Sequence, residues 1–125
     1  MKKALLLVAH GSRQEEANAD LYHVVAEMKP LGQFDIVEAA FLEFAEPNIE
    51  EGGRRCVALG AEQVVLMPYF LSSGVHFRRD LVSICNRLAD LFPRVNFRLA
   101  EPLGRHPLLL QVVAERAAET LEKDE

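Results

Sequence analysis

The sequence contains no tryptophan, no low-complexity tract and only two cysteines, Cys56 and Cys85. The cysteines lie far apart within helical patterns, which argues against a zinc knuckle or a redox pair and predicts free thiols in the core. No apolar run reaches the roughly 18 residues that a membrane span requires. The net charge of −5 argues against nucleic acid as a partner. We therefore expect a protein that binds neither membranes nor nucleic acid.

The N-terminal segment MKKALLLVAHGS has two lysines and an apolar stretch, as a signal peptide does. The stretch is short, lacks a clear cleavage site and ends in His10-Gly11-Ser12, so we interpret it as a first strand of a cytoplasmic protein. The length of 125 residues, half of them hydrophobic, predicts one domain over residues 1–125.

The remaining sequence alternates between two hydrophobic periods. Continuous or alternating apolar stretches predict strands at 4–9, 35–42, 63–67 and 94–99. Helical spacing of apolar residues predicts helices at 13–29, 47–59, 75–92 and from Pro107 onward.

Individual residues refine the prediction of three of these helices. Ser12 and Glu15 match a capping box for the first helix. Gly52 and Gly53 weaken the prediction of the second helix. The last helix carries one apolar stripe, formed by Leu110, Val113, Ala117 and Leu121.

Four repeats of strand and helix predict an α/β fold with a parallel sheet covered by helices on both faces. Ligands of such open sheets bind beyond the carboxyl ends of the strands. We therefore expect the polar residues that follow each strand to share one rim of the sheet. These residues are His10, Glu43, Glu46, His76 and His106.

Two of the rim histidines, His10 and His76, each lie in a loop of small residues. A neutral imidazole is a common ligand of first-row divalent metals and a base near neutral pH. If the first and third strands are neighbours, as in a flavodoxin-like order, the two imidazoles face each other. With one carboxylate they would form an open metal site. The alternative is that each histidine only caps or packs in its loop.

The carboxylates Glu43 and Glu46 end the second predicted strand. For Glu46, directly before Pro47, an acid at a helix N-terminus is an adequate structural explanation. The functional alternative is a carboxylate that binds metal or handles a proton. Glu43 is harder to explain by local structure.

The segment FLSSGVHFRRD, residues 70–80, places small residues before a helix, where backbone N–H groups can approach an anion. Arg78 and Arg79 lie in the first helical turn, where the helix dipole disfavours cations, and this suggests an acidic ligand. Arg13 and Arg105 could extend the positive rim. The alternative is ordinary surface arginine. The motifs of P-loop, serine hydrolase and dinucleotide-binding sites are all absent from the sequence.

The two other histidines have structural explanations. His23 lies in the middle of the first helix, away from its apolar stripe, and we expect it on the surface. His106 precedes Pro107 in a helix-capping position, although its place on the rim keeps a functional role open.

Four segments, LLLVAHGSR, FLEFAEPNIEEG, VVLMPYFLSSGVHFRRD and LAEPLGRHPLL, resemble the short class II tetrapyrrole chelatases of the sirohydrochlorin cobaltochelatase (CbiX) family. The resemblance covers nearly the whole chain in order. It implies a chelatase fold, which is a flavodoxin-like three-layer sandwich with a four-stranded parallel sheet. It also implies ATP-independent insertion of a divalent metal into sirohydrochlorin by a homodimer, with the tetrapyrrole in a cleft near the subunit boundary.

The resemblance implies roles for individual residues. His10 and His76 are the metal ligands, and His10 is the proton acceptor. Substrate contacts are implied for Glu46 and for the loop of Leu71, Ser72, Ser73, Gly74, Val75 and His76. We add Glu43 as a catalytic candidate, and Arg13 and Arg78 as anchors of the substrate carboxylates.

The metal is cobalt by resemblance, for cobalamin synthesis, while Ni²⁺ and Fe²⁺ suit the same ligands. No organic cofactor is implied. No iron–sulfur cluster is expected, because a histidine-rich tail and a cysteine cluster are lacking. Two alternatives stay open: a metal or tetrapyrrole carrier without turnover, and a flavodoxin-like interaction domain whose histidines are incidental.

Overall fold

A computed structural model describes residues 1–72 and 74–123. Its sheet contains four parallel strands in the order β2-β1-β3-β4. The strands are β1 (Lys3–Ala9), β2 (Ile36–Phe41), β3 (Gln63–Pro68) and β4 (Asn96–Leu99). The first and third strands are therefore neighbours, as a flavodoxin-like order requires, and the predicted α/β class is confirmed.

Four α-helices follow the strands in turn. They are α1 (Glu15–Met28), α2 (Ile49–Ala58), α3 (Val75–Leu91) and α4 (Pro107–Lys123), with a short 3₁₀ turn at Lys29–Leu31 after α1. Every predicted strand and helix is present close to its expected position, because hydrophobic period and helix-ending residues are local signals.

The central strand β1 supplies the core on both faces of the sheet. Leu6 and Val8 point into one cluster, which includes buried residues of α2 and α3. Leu5 and Leu7 point into a second cluster, which includes Leu21 and Val25 of α1. Successive side chains of a strand alternate between faces, so a strand covered on both sides must be apolar throughout. The result is a three-layer sandwich.

The paired glycines of α2 allow this helix to pack closely against its neighbours. A Cβ on Gly52 would lie 2.9 Å from the side chains of Ala40 and Leu6, and a Cβ on Gly53 would lie 2.7 Å from Leu88. The two glycines that weakened the helix prediction are thus the residues that let α2 fit between the sheet and α3. Their cost in helix propensity is offset by tertiary packing.

The apolar stripe of α4 lies on the surface. No residue of α4 is buried, and the exposed fractions of Leu110, Val113 and Leu121 are 75%, 65% and 71%. A stripe of this kind normally packs against a core. Here it remains available for a contact outside the chain.

Cys56 and Cys85 are free and buried, which confirms the prediction of core thiols. Burial raises the pKa of the Cys56 thiol to about 12, and the nearby Glu38 carboxylate adds to the effect. Burial also raises the pKa of Cys85. Among the described helices, none combines the length and the apolar character that a membrane span requires.

Candidate functional site

The rim beyond the carboxyl ends of the strands collects the loops that the sequence singled out. In the sheet register, Ala9 of β1 pairs with Phe41 of β2, and Val8 pairs with Pro68 of β3. All strands are parallel, so the segments that begin at His10, Leu42 and Tyr69 leave the sheet side by side. The expected shared rim is therefore present.

His10, directly after β1, is half-buried between two aromatic rings. The centroid of its imidazole lies 4.4 Å from that of Phe70, with the rings tilted by 32°, and 4.4 Å from that of Phe77, in an edge-on arrangement. Such aromatic contacts favour particular ring orientations. The imidazole is thus held in place at the rim and is not a freely rotating surface group.

His76 is the second residue of α3, and its side chain is exposed. The next residue, Phe77, contacts His10, so the first turn of α3 lies against the loop that carries His10. Among residues 1–72 and 74–123, no group of three or more His, Cys, Asp or Glu side chains is arranged to hold a metal ion. The described residues of this chain therefore do not assemble the expected site of two histidines and one carboxylate.

Glu43 is joined to His10 through the backbone. Its N–H donates to the carbonyl oxygen of His10 over 3.0 Å, and its side chain is exposed. The loops after β1 and β2 approach each other closely at Gly11. This residue adopts a left-handed φ of 92°, and a Cβ there would lie 1.8 Å from the carbonyl oxygen of Glu43. Only glycine fits this position. The loops after β1 and β2 thus form one unit.

Ser12 does not cap α1, so the predicted capping box with Glu15 is wrong. The N-cap is Gln14, which makes no side-chain cap hydrogen bond. Instead, the N–H of Ser12 donates to Oδ1 of Asn18 over 2.9 Å, and Nδ2 of Asn18 donates to the carbonyl oxygen of Ser12 over 2.8 Å. The Asn18 amide satisfies both backbone groups of Ser12, which the local spacing rule cannot foresee.

Glu46 is not the cap of α2. That function belongs to Asn48, whose side chain accepts from the N–H of Glu51, while the Glu51 carboxylate accepts from the N–H of Asn48. Glu46 is exposed and lines a cavity of about 540 Å³ next to the first turn of α1. The structural explanation of Glu46 as a helix cap is therefore wrong, and its carboxylate is available to a ligand.

The loop between β3 and α3 presents a mainly exposed surface. Leu71, Ser72 and Val75 are exposed, and Gly74 is the N-cap of α3. Ser73 lies outside the described residues. Among the basic candidates, Arg78 forms an ion pair with Glu101 over 3.3 Å, and both side chains are exposed. Exposed pairs of this kind are weak, so a ligand can compete for Arg78.

The two other histidines have structural positions, as expected. Nδ1 of His106 accepts the N–H of Leu108 over 3.2 Å, which supports the structural explanation of His106 as a cap at the start of α4. His23 is exposed on α1, as expected.

Arg105, one of the two other arginine candidates, is exposed with a left-handed φ of 62°. Arg13 lies at the cavity beside Glu46, with its guanidinium carbon 4.8 Å from the centroid of the Phe44 ring.

Sequence reasoning missed three residues that shape the site. Phe70 and Phe77 lie in the segment FLSSGVHFRRD but received no role there, and Asn18 belongs to no recognised motif. A signal for Phe70 exists in retrospect, because an aromatic residue shortly after a buried strand lies at the rim. No local signal indicates that both phenylalanines contact His10, since His10 lies far from them along the chain.

Known proteins resemble this chain over nearly its whole length. The family model of CbiX matches residues 4–120. A protein of Arabidopsis thaliana named "Sirohydrochlorin ferrochelatase, chloroplastic" is 39% identical over 112 residues, which cover 90% of this chain and 50% of that one. A protein of Sulfolobus acidocaldarius named "Sirohydrochlorin cobaltochelatase" is 33% identical over 94% of this chain and 91% of its own.

A solved structure shares the fold at the level of the whole chain. The sirohydrochlorin chelatase SirB from Bacillus subtilis subspecies spizizenii, in complex with cobalt, superposes with a TM-score of 0.87 at 29% identity. The match covers 95% of this chain and 51% of SirB. The chain thus spans about half the length of SirB and of the Arabidopsis relative. With the sheet order, the rim histidines and a family match over residues 4–120, this chain belongs to the CbiX family.

Proposed function

We propose that the protein is a sirohydrochlorin metal chelatase that inserts a divalent metal, Co²⁺ in the first place, without ATP or an organic cofactor. The reaction exchanges the metal ion for the two protons on the inner nitrogens of the tetrapyrrole. The observation that carries the proposal is the imidazole of His10, held at the rim by Phe70 and Phe77 next to the helix turn that bears His76. Family membership supports the identity of the substrate.

In this mechanism His10 accepts a ring proton once the metal has passed to the ring nitrogens, because the single lone pair of a neutral imidazole cannot hold a metal and a proton at once. A positioned imidazole that accepts a proton in the transition state contributes roughly 10²- to 10⁴-fold to a rate. Because Phe70 and Phe77 restrict the imidazole, little conformational entropy is lost in orienting it when the macrocycle binds. We assign Glu43 as the second group that accepts a proton, since a backbone hydrogen bond from its N–H to the carbonyl oxygen of His10 holds the two residues together.

The metal is a substrate that must be bound and then released. We propose that His10 and His76 hold it, with open positions for the ring nitrogens. An incomplete ligand set suits a metal in transit better than the four closed ligands of a structural site. Two imidazoles accept Co²⁺, Ni²⁺ and Fe²⁺. Named relatives include a cobaltochelatase and a ferrochelatase, which supports cobalt first and iron, with nickel, as the alternatives. Insertion of cobalt would belong to cobalamin synthesis.

The macrocycle would lie over the rim. We assign its contacts to Glu46, to Arg13 and Arg78, and to the loop Leu71–Val75. The available carboxylate of Glu46 and the exposed side chains of Leu71, Ser72 and Val75 support this assignment. The two guanidinium groups would bind the carboxylates at the edge of the substrate, because arginine donates in a fork that matches a carboxylate.

A homodimer completes the proposal. The chain equals about half of SirB but nearly all of the Sulfolobus relative, so a second copy would stand where the longer chain continues. The exposed stripe of Leu110, Val113 and Leu121 on α4 is an apolar surface that such a copy would cover. Burial of exposed apolar side chains is the main favourable term in association.

The chelatase is tested under anaerobic conditions. Purified protein is mixed with sirohydrochlorin and, separately, with Co²⁺, Fe²⁺ or Ni²⁺, and the visible spectrum is followed against a control without enzyme. His10→Ala and His76→Ala should each lose most of the rate at limiting metal. His23→Ala is the matched control, because that histidine is exposed on α1, and it should keep the wild-type rate.

The outcomes distinguish the competing functions. A full rate in His10→Ala or His76→Ala would disprove the mechanism. A stoichiometric spectral shift on ring binding, without acceleration by any metal, would establish a carrier instead. Metal binding that persists when both rim histidines are removed would favour an interaction domain.

The dimer is tested by sedimentation. Val113→Glu places a charge on the apolar stripe of α4 and should shift the protein toward the monomer. Gln111→Glu adds the same charge on the polar face of the same helix and should leave the mass unchanged. A wild-type protein that stays monomeric at the concentrations of the rate assay would contradict the homodimer.

A further inference from the structure

A cavity beside the His10 loop is lined by two side chains, Arg13 and Phe44, that contact each other. The cavity of about 540 Å³ is lined by Ser12, Arg13 and residues of α1 on one side and by Phe44 to Glu46 on the other. It opens at the same rim as His10, because Gly11 and Glu43 bring these two loops into contact.

Phe44 adopts an unfavourable backbone conformation without burying its ring. Its φ is 66°, in the left-handed region that bulky residues rarely enter, and its exposed fraction is 57%. Core packing therefore does not explain the residue. Its ring is instead the surface over which the Arg13 guanidinium lies, 4.8 Å from the centroid.

Arg13 is held by this contact and by no ion pair within the described residues, although Glu15 and Glu46 line the same cavity. A guanidinium over an aromatic ring gains cation–π attraction while its N–H groups can still donate in its own plane. The Arg13 guanidinium thus lies over the Phe44 ring and is not paired with either acid. Arg13 is also the one cationic side chain among the described residues that line the cavity.

We infer that Phe44 is a positioning residue that holds Arg13 ready to bind a peripheral carboxylate of the tetrapyrrole in this cavity. The inference rests on the proposed function for the identity of the ligand. Binding of the carboxylate should depend strongly on Arg13, because without this cation the cavity would present only the acids Glu15 and Glu46, which repel a carboxylate. Substrate affinity, and not proton transfer, should therefore respond to Phe44.

The first measurement titrates metal-free sirohydrochlorin into the protein and follows its absorbance. Arg13→Ala should weaken binding by roughly tenfold or more, as expected for a lost charge-assisted hydrogen bond. Arg94→Ala, in the turn before β4 at the opposite edge of the sheet, should bind like the wild type.

Phe44→Asn separates positioning from folding. Asparagine tolerates the left-handed backbone better than phenylalanine, so the free energy of unfolding should stay equal or rise. Affinity should nevertheless fall by about two- to fivefold, the value of an exposed cation–π contact. In the rate assay the loss should appear in KM more than in kcat, and Phe44→Tyr, which keeps the ring, should restore it.

The double variant decides whether the two residues act together. If Phe44 acts through Arg13, then Phe44→Asn should have little further effect on KM in the Arg13→Ala background. Additive losses, or an unchanged KM in Phe44→Asn, would overturn the inference while leaving the chelatase intact. A wild-type protein that neither binds nor metallates sirohydrochlorin would overturn the proposed function itself.

Discussion

The imidazole of His10 lies edge-on to the ring of Phe77, with the two ring centroids 4.4 Å apart. Phe77 is the residue next to His76, so one aromatic contact orients the first rim histidine and also fixes the helix turn that carries the second. The spacing between the two proposed metal ligands therefore depends on a residue that binds no metal.

Replacing Phe77 should impair catalysis more than folding. Phe77→Leu removes the ring that restricts His10 and should lower kcat by roughly tenfold, because small misplacements of a catalytic group are costly. Phe77→Tyr should retain most of the rate. The matched control is Phe92→Leu, at the far end of α3, which also removes a half-buried ring. Equal kcat values for Phe77→Leu and Phe92→Leu would contradict the positioning of His10 by Phe77.

Gly11→Ala should destabilise the protein strongly. The added Cβ would meet the carbonyl oxygen of Glu43 at 1.8 Å, so the loops after β1 and β2 must separate. The expected loss in the free energy of unfolding is about 3 kcal/mol or more, measured by urea denaturation. Gly32→Ala has a similar left-handed backbone but open space around the new Cβ, and should cost only about 1–2 kcal/mol. A similar cost for both variants would show that the backbone conformation, not the loop crossing, matters.

Asn18→Ala should loosen the His10 loop. The variant leaves the N–H and carbonyl groups of Ser12 without their partner, at a cost of about 1–3 kcal/mol. Faster hydrogen exchange at residues 10–13 should accompany the loss of stability. Asn86→Ala, an exposed asparagine on α3, serves as the control. Unchanged exchange in Asn18→Ala would mean that other contacts hold the loop.

The buried thiols should make stability depend on alkaline pH. The pKa of Cys56 is raised from 9.0 to about 12 in the folded chain, so between these values the unfolded chain binds fewer protons. The free energy of unfolding should then fall as pH rises through this range. The stability difference between wild type and Cys56→Ala should shrink from pH 8 to pH 10.5 in urea titrations. A constant difference would rule out this ionisation as the cause.

Thiol labelling provides a separate check of the core. Since burial raises the pKa values of both Cys56 and Cys85, a thiolate-specific reagent at pH 8 should leave the native protein unmodified. The same reagent should label both cysteines in urea. Rapid labelling of the native protein would show that α2 or α3 opens locally.

The local content of the sequence determined most of the fold. Strands with continuous apolar runs and helices with a period near 3.6 are recognisable because those periods follow from backbone geometry alone. The parallel sheet follows from their alternation, and the shared rim follows from the parallel sheet. The sequence alone therefore predicts that His10, Glu43, Glu46 and His76 lie at the rim.

Contacts between distant segments were decided only by the tertiary structure. The two aromatic partners of His10 and the Arg13–Phe44 pair join residues far apart in the chain through side-chain packing, for which a linear pattern has no signature. The same holds for Gly52 and Gly53, whose meaning lies in what they touch. Asn18 lies only six residues from Ser12, but its two hydrogen bonds to the Ser12 backbone replace the capping box that the local spacing predicted. Periodicity determines which face of an element is apolar, but only the packed fold decides whether that face is buried, and on α4 it is not.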